Sequence, residues 1–70
     1  METIENLIDS LPKRDVSIAK SLLKKRDIQN LSYLCWADYV RVKSSPKDYP
    51  SINLANVEAL YKEIDKLKFK

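Results

Sequence analysis

Asp27-Ile28-Gln29-Asn30-Leu31-Ser32-Tyr33-Leu34-Cys35-Trp36-Ala37-Asp38-Tyr39-Val40-Arg41-Val42-Lys43 is the stretch on which the fold turns. Asp27 has the short acceptor side chain of an N-cap. Behind it Ile28, Leu31, Leu34, Cys35, Tyr39 and Val42 recur at helical spacing and form one apolar stripe. Tyr33, Trp36 and Val40 follow at i, i+3 and i+7 on the opposite side. A helix that is apolar nearly all round is either covered on both sides at the centre of a domain or left open on one side for a partner. Asp38 is out of place, because it projects into the main stripe. Either the helix breaks and Asp38 caps a new turn beginning at Tyr39, or a nearby cation holds its carboxylate. The alternation in Tyr39-Val40-Arg41-Val42-Lys43 also fits a short strand, but the chain offers no convincing second strand to pair with it.

Upstream, Val16, Ile18, Ala19, Leu22 and Leu23 form a broad apolar arc, predicting a helix between Pro12 and Arg26. The face opposite that arc holds Lys13, Arg14, Ser17, Lys20, Ser21, Lys24 and Lys25 with no acid among them. Before Pro12, Ile4, Leu7, Ile8 and Leu11 sit at i, i+3, i+4 and i+7, which predicts a short first helix with Thr3 as its N-cap. Its outer face carries Glu2, Glu5 and Asp9, acids that suit the positive end of the helix dipole and could neighbour the basic second helix.

Downstream, Ser44 to Ser51 contains Pro46 and Pro50 among turn-forming residues and reads as a loop. Asn53 then caps a fourth helix, with Ile52 and Val57 placed as a hydrophobic staple across the cap. Val57, Leu60, Tyr61, Ile64 and Leu67 make its apolar stripe, and Glu58 and Lys62 form an i,i+4 pair on its exposed side. The expectation is therefore an all-α bundle of about four helices, near residues 3–11, 13–26, 28–43 and 54–68, with the third helix central and residues 1–70 forming one domain.

Composition narrows the chemistry. Of the 70 residues 44% are hydrophobic and 33% charged, enough apolar surface for a core yet near the lower size limit for one. The chain has no glycine, so the Gly-rich phosphate loops of nucleotide-binding folds are excluded. Histidine is also absent and Cys35 is the sole cysteine, which removes imidazole chemistry, an internal disulfide and a Cys/His zinc site. A hard-cation site would need converging carboxylates at spacings the chain lacks. No cofactor, metal or small-molecule substrate is expected, and the chain does not read as an enzyme. The acidic start and the lack of a long apolar run argue against export and membrane insertion, so the expected compartment is the cytoplasm. Cys35, beside Leu31 and Leu34, reads as a buried, inert thiol.

Two surfaces remain. Tyr33, Trp36 and Val40 are the candidate contact with another protein or with a second copy of this chain, since Trp and Tyr dominate binding hot spots; the competing reading packs them in the core. Lys13, Arg14, Lys20, Lys24 and Lys25 form the alternative surface, for the phosphates of a nucleic acid, against a competing reading as a solvated face. The net charge of only +3 limits that alternative. So does the third helix, whose polar side offers little beyond Gln29, Asn30 and Ser32 for reading base edges.

Overall fold

The structure, a computed structural model, describes residues 4–68. Its regular structure over those residues is entirely helical: α1 (Ile4–Ile8), α2 (Lys13–Lys24), α3 (Ile28–Ser44), a 3₁₀ turn (Pro46–Asp48) and α4 (Leu54–Lys68). The stretch that alternates from Tyr39 to Lys43 is helix, not strand. α3 is the central element. It packs most extensively on α4, then on α2 and the 3₁₀ turn, and α1 packs on α4 and α2.

Each boundary has a local cause. α1 is shorter than its apolar spacing predicts, because beyond Ile8 the chain tightens into turns, with Ser10 N donating to Leu7 O and Leu11 N to Ile8 O. Leu11 is buried all the same. The expected cap Thr3 and the acid Glu2 lie outside the described residues. α2 stops at Lys24, two residues before the expected end. There Arg26 takes a left-handed φ of 60°, Arg26 N donates to Leu23 O and Asp27 N to Leu22 O. That pair of bonds is the Schellman closure, which normally uses glycine at this place. A chain without glycine makes it with arginine.

α3 begins on the expected cap, as the Asp27 carboxylate accepts from the Asn30 backbone and side chain. It runs unbroken past Asp38 to Ser44. α4 begins on Asn53, whose side-chain oxygen accepts from Ala55 N at 3.0 Å and Asn56 N at 3.4 Å. The segment between them, expected to lack regular structure, contains the single turn of 3₁₀ helix at Pro46–Asp48, where proline at the first position supplies a preset φ.

The core draws on every helix: Leu7, Ile8 and Leu11 from the α1 segment, Ala19 from α2, Leu31 and Cys35 from α3, and Val57, Leu60 and Ile64 from α4. Each large aliphatic side chain buried there contributes about 1.5–3 kcal/mol of transfer free energy. The expected core place of Ile18 is corrected. Ile18 is 50% exposed, while Asp15 is 6% exposed. At about 100° per residue Asp15 falls between Ala19 and Leu22 on the wheel, at the centre of the arc that meets α3, whereas Ile18 lies at its edge.

Candidate functional site

The two faces of α3 have different surroundings. α2 and α4 both pack against the side bearing Leu31, Cys35 and Val42. The opposite stripe is left uncovered: Tyr33 is 69% exposed, Trp36 46% and Val40 39%. The reading that packs these side chains in the core is thereby corrected. The rings of Tyr33 and Trp36 lie 6.2 Å apart at 45°, a tilted arrangement within the favourable range for aromatic pairs. Beside them runs an open groove of about 290 Å³, bounded by Asn30, Ser32, Tyr33 and Trp36 of α3 and by Tyr61 and Asp65 of α4.

Lys13, Arg14, Lys20 and Lys24 on α2 and Lys25 at its C-terminal cap are all exposed. They do not act as one free cationic strip. Lys20 Nζ lies 3.1 Å from Asp9 Oδ1, which joins the acidic side of α1 to the basic side of α2, and the positive charge of Arg14 acts on Asp38. Lys20 is thus already paired with an acid within the molecule. The Asp9–Lys20 pair is itself well solvated, so it orients the helices more than it stabilises them. Glu58 and Lys62 form the expected pair at 2.9 Å, and that bond raises the pKa of Lys62.

A third feature is internal. Asp38 is completely buried in α3 and Asp15 nearly so in α2. Arg41 Nη1 stands 3.6 Å from Asp38 Oδ1, an ion pair longer than a hydrogen bond. Among the described residues, no N–H or hydroxyl donor reaches Asp15 Oδ2 or either oxygen of Asp38. Burial pushes the Asp38 carboxyl up to about 7, and the neighbouring Asp15 carboxyl acts the same way; Arg41 and Arg14 oppose them. Of the two alternatives for Asp38 in the sequence, the helix break is corrected, because α3 runs through it, and the nearby cation is found in Arg41; Asp15 is a second acid acting on it that the sequence did not suggest. Asp15 carried no signal as a buried group, because an acid in the first turn of a helix ordinarily serves the dipole in solvent.

Cys35 is fully buried and free. Desolvation first, and the Asp38 charge second, push its thiol up to about 12, far from the thiolate a nucleophile or metal ligand needs. Among the described residues, no three or more cysteine, aspartate or glutamate side chains gather as metal ligands, and no helix is long and apolar enough to cross a membrane. No family model, curated protein or solved structure matches the chain.

Proposed function

We propose that this chain is a small non-catalytic protein-interaction module that docks through the Tyr33–Trp36–Val40 side of α3, and that its partner there is a second copy of itself. The observation that carries the reading is the exposure of three large apolar side chains on one face of the central helix. Fully solvated, such a row forgoes the burial that aromatic anchors supply at binding surfaces.

Continued along α3, the row is Gln29, Tyr33, Trp36, Val40 and Lys43, all exposed. Steps of four and three residues are those by which two helices pack side by side, knobs into holes. Apolar in the middle and polar at both ends, the row is self-complementary when two copies run antiparallel. Lys43 of one copy then approaches the end of the other where Asp65 borders the groove, and the two helix dipoles oppose. With no histidine in the chain and the Cys35 thiol held neutral, the residues favour binding over catalysis. A lone buried thiol also suits the reducing cytoplasm.

Size-exclusion chromatography with light scattering tests the proposal. The chain should reach the mass of a dimer as concentration rises, insensitively to salt. Trp36→Ala should weaken association by roughly 30-fold or more with an unchanged helical circular dichroism spectrum. A monomer at every concentration overturns the self-association. If that monomer shifts on duplex DNA or RNA at low salt only, the basic face of α2 takes precedence, and charge reversal at Lys20 and Lys24 should abolish the shift.

A further inference from the structure

We propose that Asp15 and Asp38 share one proton across the junction of α2 and α3, forming a clamp that holds at acid pH and loosens when the proton leaves. The site lies on the side of α3 turned away from Trp36, so the inference stands independently of the docking face.

The argument begins from hydrogen-bond accounting. Three carboxyl oxygens, Asp15 Oδ2 and Asp38 Oδ1 and Oδ2, are buried with no donor among the described residues. A buried carboxylate without donors is costly, and two side by side add repulsion between like charges. Arg41, at 3.6 Å and half in solvent, offers attraction without a hydrogen bond. The remaining donor is a proton on one of the acids themselves. Held by Asp38, the more deeply buried of the two, it turns a repulsive pair into an O–H donating to Asp15, a charge-assisted bond. The groups acting on Asp38 are Asp15 and Arg14 from α2, and Arg41 from its own helix; Cys35, also on α3, feels its charge.

The sign of the effect follows from the burial-driven rise of Asp38 from its ordinary 3.8 to about 7. The folded chain keeps a proton that the unfolded chain has released, so its contribution to stability is complete below about 4 and is lost as pH rises through about 7. This is the reverse of the usual acid denaturation, in which paired carboxylates fail as they are protonated.

Urea denaturation of the full chain between pH 5 and 8.5 tests the clamp. The midpoint should fall as pH rises. Asp38→Asn, whose amide N–H donates to Asp15 at any pH, should flatten that dependence and match or exceed the parent midpoint at pH 8.5. A parent midpoint that is constant or rises from pH 5 to 8.5 overturns the proposal, as does an Asp38→Asn chain that keeps the parent slope. Should Asp38→Asn fail to fold, carboxyl ¹³C NMR of the unaltered chain decides: one aspartate titrating near neutrality supports the shared proton, and all six aspartates titrating in the ordinary carboxylate range defeat it.

Discussion

The amide of Asp27 donates to the carbonyl of Leu22 at 3.0 Å, while the carboxylate of the same residue accepts from Asn30 Nδ2 at 2.7 Å. One residue thus closes α2 and opens α3. The angle between the two helices depends on the single left-handed residue between these bonds, Arg26, at φ 60°. A side chain with a Cβ pays about 1–2 kcal/mol for that conformation.

Arg26→Gly should therefore stabilise the domain. Relief of the left-handed penalty is partly offset by the larger conformational entropy of glycine in the unfolded chain. A net gain of about 0.5–1 kcal/mol, read as a higher urea midpoint with unchanged helicity, is the expected result. A lower midpoint would show that the Arg26 side chain contributes more than its backbone costs.

Tyr39 and Tyr61 fasten α3 to α4. Their rings are nearly parallel, 9° apart in plane and 6.2 Å between centroids, and Lys43 Nζ lies 5.7 Å from the Tyr39 ring. A double-mutant cycle with Tyr39→Ala and Tyr61→Ala should give a coupling energy of about 0.5–1.5 kcal/mol. Additive losses would mean that the rings contribute by burial alone.

Arg41→Ala should shift the pH profile of stability. Its charge lowers the pKa of Asp38 against burial and Asp15, so its removal moves the fall in stability to higher pH. At pH 8.5, where Asp38 is charged, the variant should be less stable than the parent by about 1 kcal/mol or more. At pH 5, with the proton in place, the two should differ much less. Unfolding curves at both pH values check this, and an equal loss at both would assign Arg41 to packing instead.

Cys35 should resist thiol reagents in the folded chain. Its thiol is fully buried and is pushed up to about 12 by burial and by Asp38, so modification at pH 8 must wait for transient opening. Labelling should be roughly 100-fold slower, or slower still, than in urea at the same pH. Rapid labelling without denaturant would show that the α2–α3 junction opens readily.

Periodicity and capping alone determined the four helices, the Asp27 and Asn53 caps, the Glu58–Lys62 pair and the burial of Leu31, Cys35, Leu60 and Ile64, because each depends on residues within one or two turns of helix. The same logic placed Tyr33, Trp36 and Val40 on one face but left two readings of it. Whether that face is covered depends on where two other helices come to rest. Only the tertiary structure decided that α2 and α4 share the opposite side of α3. It likewise decided the exchange of Ile18 for Asp15 in the α2 interface, since the rotation of a helix about its own axis is set by the surface it meets. The burial of Asp15 against Asp38 had no counterpart in local pattern. Two acids separated by more than six turns of chain become one site only when two helices cross, and the low polarity at that crossing gives them a proton to share.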